Sequence, residues 1–130
     1  SFRDDDWQGE YIFSPTFISD AARRFTSGMY RQGMMQCLSF HWSKTLGIQQ
    51  GGAILHDNAT ADEWLRRARF DGRKEGVLPS EDHDIIRGWH CYLSPDVAAR
   101  LMWKLSNLPR DNEPLPNSDY PDLSQLECFK

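Results

Sequence analysis

Three short apolar segments in the first half of the chain predict β-strands near residues 11–19, 34–40 and 52–56. None of them alternates strictly between apolar and polar positions, a pattern typical of strands buried on both faces of a parallel sheet. Pro15 interrupts the first segment and cannot donate a ladder hydrogen bond. That segment is therefore expected to be either a bent edge strand or a loop that leads into a strand.

Helical spacing of apolar residues follows in the second half and predicts a first helix over residues 60–71. Thr60 and Glu63 have the spacing of a capping box, and Gly72 is placed to end the helix. The inward positions are expected to be Trp64, Leu65 and Ala68, and the positions facing water or the helix C-terminus to be Arg66, Arg67 and Arg69.

A second helix is predicted over residues 94–108, with Ser94 as N-cap and Pro95 in the first turn. Together these elements predict an α/β fold with a layered αβα arrangement. The expected organisation is a polar lead-in at residues 1–10, a partial α/β domain at 11–108 and a proline-rich extended tail at 109–130.

The composition limits the classes of function. The chain has 130 residues, a formal net charge of −4 and 39% hydrophobic residues. This charge disfavours nucleic-acid binding, and no apolar stretch reaches the length of a membrane span. The first ten residues also lack the apolar region of a signal peptide. With three cysteines and no CxxC spacing, the sequence predicts a reduced, cytoplasmic protein.

Lys44 is the lysine most suggestive of chemistry, because it follows an apolar strand rather than lying on a polar surface. A partly dry lysine at a strand end can act as a Schiff-base nucleophile; the alternative is a solvated loop lysine. Asp20 closes another apolar strand, where ligands of α/β proteins bind, or it caps the turn that follows. Ser39 and the pair Gly51–Gly52 would allow a phosphate or a backbone to approach closely.

Other catalytic or binding motifs are weak or missing. The four histidines have no recognisable metal spacing, and the four-residue separation of Cys37 and His41 is a poor basis for a zinc site. Neither a glycine-rich nucleotide loop nor a serine nucleophile elbow is present in the sequence.

Several motifs in order along residues 12–108 resemble those of the DegT/StrS-type sugar aminotransferases. The stretch Ser39-Phe40-His41 through Lys44 and Leu46, followed by Gly51-Gly52, is similar to the family's S-F-H-x-x-K-x-L…G-G-x-I segment. The further similar segments are Asp20-Ala21-Ala22, Arg66 through Arg73, and Gly88 through Ser94 with Ala98-Ala99.

The resemblance implies the fold and cofactor of pyridoxal-phosphate (PLP) transferases of the aspartate-aminotransferase type, of which this chain would be the central portion. Lys44 would attach PLP and shuttle a proton, Asp20 would pair with the pyridine nitrogen, and Ser39 would bind the phosphate. Among the positions that depart from the family pattern, Arg23 replaces a glutamine or histidine near the cofactor, and His90 replaces a phosphate-binding asparagine.

The implied reaction is transfer of an amino group from an amino acid, such as glutamate, to a nucleotide-linked keto-sugar. The implied assembly is a homodimer or a pairing with a complementing chain, with no nucleic acid, membrane or metal involved. The main alternative is a non-catalytic remnant of the fold that serves as a binding or assembly module. A PLP-dependent dehydratase is disfavoured because Lys44 is retained, and a nucleic-acid-binding role for the arginine cluster is disfavoured by the net charge.

Overall fold

The computed structural model describes residues 7–117 and 126–129. Its elements, in chain order, are β1 (Tyr11–Phe13), β2 (Ile18–Asp20), β3 (Met35–Ser39), β4 (Gly52–Leu55), α1 (Ala59–Arg69), α2 (Pro95–Asn107) and a 3-10 turn at Glu127–Phe129. The mixed α/β class predicted from the sequence is confirmed.

The four strands form one mixed sheet in the order β1-β2-β3-β4. Only β2 and β3 are parallel, whereas β1 pairs with β2 and β4 pairs with β3 in the antiparallel sense. The predicted parallel pairing is therefore confirmed between segments 11–19 and 34–40, through β2 and β3, and is wrong between segments 34–40 and 52–56, through β3 and β4. The segment 11–19 reverses direction at a turn in which Thr16 N–H donates to Phe13 O at 2.7 Å. No helix crosses over between β3 and β4, so β4 returns beside β3 in the opposite direction.

The sheet has one buried face. Along β3, Gln36 and Leu38 are buried, whereas Met35, Cys37 and Ser39 are half-buried. The prediction that this strand is buried on both faces is therefore wrong. Side chains of a strand alternate between the two faces of the sheet. One face packs into the core, and the other, which carries Cys37 and Ser39, borders a surface cleft.

The hydrophobic core lies on the face of Leu38 and extends into the loops that follow β2 and β3. Its buried members are Ala21, Met29, Leu38, Phe40 and Leu46, and Leu101 of α2 with Leu108 just beyond that helix packs against them. Helix α2 thus reaches the core through Leu101, whereas its apolar residues Met102, Trp103 and Leu105 remain exposed. Ser94 is the N-cap of α2 as predicted, although its hydroxyl donates to Asp96 rather than accepting a backbone N–H.

The N-cap of helix α1 lies two residues before the predicted one. The N-cap is Asn58, whose side-chain oxygen accepts the N–H of Ala61 at 3.0 Å. Asn58 therefore performs the capping role that the sequence assigned to Thr60, because Thr60 already lies inside the helix. Of the predicted inward positions, Ala68 is buried, but Trp64 remains half-exposed.

Arg67 was expected to face water or the helix C-terminus, and the first of these alternatives is wrong because the residue is buried. Its guanidinium is buried and donates to both carboxylate oxygens of Asp82, at 2.9 and 3.2 Å, and to the carbonyl of Asp84 at 3.2 Å. A buried charge requires such pairing, and this one ties the long loop after α1 back onto the helix.

The segment 110–117 lies against residues near the start of the chain. Leu115 N–H donates to the carbonyl of Arg23 at 2.9 Å, and the indole N–H of Trp7 donates to Leu115 O at 2.8 Å. Ser27 N–H donates to Arg110 O at 2.7 Å. The first part of the predicted tail therefore packs on the fold, while residues 118–125 and 130 lie outside the described part.

Candidate functional site

Two of the sequence-predicted residues lie at the same edge of the sheet. Asp20 ends β2 and is the Cα partner of Cys37, and Ser39 ends β3 two residues later. Because β2 and β3 are parallel, their carboxyl ends meet at this edge. Residues paired across strands point to the same face, as do alternate residues of one strand. Asp20 and Ser39 therefore share the face that borders the cleft.

Lys44 lies in the loop that leaves this edge. Its backbone N–H donates to the carbonyl of His41 at 2.9 Å in a tight turn, and His41 forms an isolated bridge with Gln49. The residue is half-buried. Its ammonium group makes no hydrogen bond or ion pair with any residue in the part of the chain that the structure describes, which leaves the amine available.

Gly51 and Gly52 bring the chain back to the same edge. Gly52 is the partner of Ser39 in the β3–β4 ladder. Gly51 has φ of +98°, and a Cβ there would meet the side chain of Leu93; a Cβ on Gly52 would meet the carbonyl oxygen of Leu38. These glycines allow close packing that a side chain would prevent.

The carboxylate of Asp20 has one local hydrogen bond and one longer-range electrostatic effect. Its Oδ1 accepts the N–H of Ala22 at 2.9 Å, as the turn-capping alternative requires. Among residues 7–117, its second oxygen has no hydrogen-bond partner. Burial, and to a lesser extent the charge of Asp20, raises the pKa of the Cys37 thiol above its usual value. The carboxylate can thus cap the turn through Oδ1 and still accept a hydrogen bond from a ligand through its second oxygen.

The structure adds a histidine–serine pair to the predicted residues. His41 Nδ1 lies 2.9 Å from the hydroxyl oxygen of Ser43, and Ser43 N–H donates to the same nitrogen at 3.4 Å. Nδ1 is therefore the acceptor in the neutral ring. The N–H of His41 also donates to Ser39 Oγ at 3.3 Å, leaving the Ser39 hydroxyl hydrogen free to bind a ligand. The H-x-S spacing is the only sequence signal of this pair, and it is too short to be specific.

The remaining predicted site residues lie in other surroundings. A terminal nitrogen of Arg23 donates to the carbonyl of Pro116 at 2.6 Å. His90 is exposed, with Nδ1 3.3 Å from Asp71 Oδ2 and its ring 4.1 Å from that of Tyr92. Among the described residues, no hydrogen bond or ion pair joins Arg23 or His90 to the edge that carries Asp20 and Ser39. Their cofactor-binding roles stay predictions.

A cavity of about 540 Å³ opens on the cleft-facing side of the sheet. Its walls include Cys37 and Ile54 from the sheet, Trp64 from α1 and Trp89 from the segment before α2. Asp20, Ser39 and Lys44 do not line it. The polar edge and this cavity are thus separate features, and Cys37 belongs to both as the ladder partner of Asp20 and a wall of the cavity.

Comparisons of this chain with protein-family models, with curated proteins and with solved structures find no match. Neither helix within residues 7–117 has the length and apolar character needed to cross a bilayer. Over the same described part of the chain, no three histidine, cysteine or acidic side chains are grouped so that they could hold a metal ion.

Proposed function

We propose that this chain carries the cofactor-attachment segment of a PLP-dependent aminotransferase. The observation that supports this function best is the shared edge: Asp20 and Ser39 lie on one face at the ends of parallel strands, and Lys44 follows in the adjoining loop. An acid, a hydroxyl and an amine are the three groups that PLP chemistry needs. The resemblance of the motifs adds the substrate class, an amino acid as donor and a nucleotide-linked keto-sugar as acceptor.

The side chains present fit PLP in chemical type. The second oxygen of Asp20 can accept the proton of a pyridinium nitrogen, and the Ser39 hydroxyl can donate to a phosphate. The ammonium of Lys44 has no competing acid among the described residues. The close packing at Gly51 and Gly52 leaves backbone rather than side chain beside Ser39. PLP, when bound, supplies the electron sink for charge that develops at the substrate's Cα.

Each residue has a separate task in this proposal. Lys44 holds the cofactor through Nζ and, once released from it, moves a proton at the reacting carbon. Asp20 keeps a proton on the ring nitrogen by charge pairing. Ser39 orients the phosphate. A homodimer or a complementing chain would supply further walls, and the proposed setting is the cytoplasm.

Borohydride trapping tests the proposal directly. The full chain is incubated with a small excess of PLP, reduced and digested, and the labelled lysines are identified by mass spectrometry. The chain has four lysines, Lys44, Lys74, Lys104 and Lys130, so each is a built-in comparison. We expect the label at Lys44, its loss in Lys44→Ala and its persistence in Lys74→Ala. Equal labelling of all four lysines would overturn the proposal for the isolated chain.

A non-catalytic binding or assembly module is the second candidate, and the surroundings of Arg23 favour it. Arg23 binds Pro116 through its side chain and Leu115 through its carbonyl, so it is engaged by the tail rather than held free for a ligand. This candidate predicts a folded chain whose melting temperature does not change with PLP. A rise in melting temperature with PLP that Lys44→Ala abolishes would exclude it as the main function.

A further inference from the structure

The cavity beside the sheet has the size and walls of a small-molecule site. Its volume of about 540 Å³ falls within the range of roughly 300–1,000 Å³ common for ligand pockets. The sheet contributes Cys37 and Ile54 to the wall, and two separate segments contribute the indole rings of Trp64 and Trp89. Trp64 is 51% and Trp89 is 55% exposed, so both rings keep large apolar surfaces in contact with water.

Two arginines at the wall of the same cavity have unused donors. Arg66 Nε donates at 2.6 Å to Asp62, an acid that also lines the cavity and that Arg66 neutralises, and a terminal nitrogen of Arg69 donates to Glu75 at 2.6 Å. A guanidinium carries five N–H bonds, so each arginine retains donors for another acceptor. The side chains of Arg66 and Arg69 are 65% and 37% exposed, which keeps these donors accessible.

We propose that this cavity is a second ligand site, which binds a planar aromatic compound with one anionic substituent. The rings of Trp64 and Trp89 provide faces on which a planar ring can stack, and Arg66 and Arg69 provide donors for the anion. The site does not depend on the proposed function, because neither Lys44 nor Asp20 lines it.

The probe for this site is 8-anilinonaphthalene-1-sulfonate, measured by its fluorescence on titration with the full chain. Trp64→Ala and Trp89→Ala are expected to weaken its binding about tenfold each. Trp42→Ala and Trp103→Ala are the matched controls, since these residues are 73% and 68% exposed and lie outside the cavity. Equal weakening by the control substitutions, or no saturable binding to the unaltered chain, would overturn the proposal.

A second probe tests the anionic substituent. N-phenyl-1-naphthylamine has the same rings without the sulfonate, and we expect it to bind several-fold more weakly. Binding of both probes with the same affinity would show that Arg66 and Arg69 take no part, and the charge requirement would be wrong.

Thiol protection provides a readout on the unaltered protein, independent of whether any variant folds. Cys91 lines the cavity and is exposed, whereas Cys128 is exposed and is not among the cavity residues. A saturating concentration of the sulfonate probe should slow alkylation of Cys91 relative to Cys128, as followed by mass spectrometry. Equal rates with and without the probe would place the bound dye elsewhere and contradict the proposal.

Discussion

Asp20 and Cys37 are direct partners across the parallel β2–β3 ladder, and the acid raises the pKa of the thiol in addition to the larger effect of burial. The pairing makes Cys37 a chemical reporter of the Asp20 charge. A change in ionisation at the proposed cofactor edge is therefore measurable at a neighbouring sulfur.

The first prediction concerns the reactivity of this thiol. Asp20→Asn removes a negative charge, so the pKa of Cys37 should fall and its thiolate fraction near neutral pH should rise. We expect alkylation of Cys37 by iodoacetamide to accelerate about two- to fivefold, because thiolate is the reactive form. Cys91 and Cys128 in the same protein are the controls. An unchanged rate ratio between Cys37 and Cys128 would contradict the electrostatic coupling.

The second prediction concerns acid stability through Asp82. Hydrogen bonds from the N–H of Lys74 and from Arg67 lower the pKa of Asp82 below its ordinary value of 3.8. The folded state thus favours the carboxylate. Its stabilising contribution is complete above the unfolded pKa and is lost as the pH falls through the lower folded pKa.

Asp82→Asn should therefore lower the melting temperature by several degrees at pH 7, with the gap from the unaltered protein narrowing below about pH 3.8. Asp96→Asn is the control, because Asp96 also has a lowered pKa but lies on the surface of α2 with Ser94 and Arg100. If the two substitutions lower the melting temperature equally at pH 7, then the burial of the Arg67–Asp82 pair adds no stability.

The third prediction compares two glycines with nearly the same positive φ. Gly72 and Gly76 have φ of +80° and +81°, but a Cβ on Gly72 would meet the carbonyl oxygen of Ile86, whereas Gly76 has open space. Gly76→Ala should lower the free energy of unfolding by about 1–2 kcal/mol, from backbone strain alone. Gly72→Ala should lower it further, because the backbone near Ile86 must move. Chemical denaturation of both variants measures the difference. Equal losses of the free energy of unfolding would show that the contact with Ile86 adds no cost.

The fourth prediction concerns the start of α1. Asn58→Ala should lower the free energy of unfolding by about 1 kcal/mol, because the cap to the N–H of Ala61 is lost. Thr60→Ala should have a much smaller effect, since the Thr60 side chain makes no capping bond. Thermal or chemical denaturation measures the free energy of unfolding of both variants. A larger loss for Thr60→Ala than for Asn58→Ala would show that Thr60 is the cap.

Much of the local structure could be predicted from the sequence, because local signals determine it. The α/β class, the position of β3 and the second helix all follow from apolar spacing and from Ser94 and Pro95. The predicted cap of α1, Thr60, is wrong and the observed cap is Asn58, because both residues are good caps. Their competition is decided by the path of the chain leaving β4, which spacing does not encode.

Strand direction and the partners of charged groups could not be predicted in this way. The apolar residues of β4 suit either direction, and the missing crossover helix makes it antiparallel. Arg67 has the same helical environment in sequence as Arg66 and Arg69, and only the distant Asp82 makes its burial favourable. For the candidate site, the position of Asp20 at a strand end and of Lys44 in the loop after β3 could be predicted from the sequence, whereas their roles stay predictions. The contacts of Arg23 with Pro116 and of His90 with Asp71 could not be predicted, because they depend on long-range packing.

The hydrogen bond from Trp7 to Leu115 joins positions 108 apart in the chain. Nearly all of the described fold lies within the loop that this contact closes, and closing a loop of that length carries an entropic cost that the intervening structure must first offset. The contact therefore belongs among the latest to form during folding and the earliest to open under stress. A spectroscopic probe placed at position 7 would then follow the last step of assembly rather than the collapse of the core.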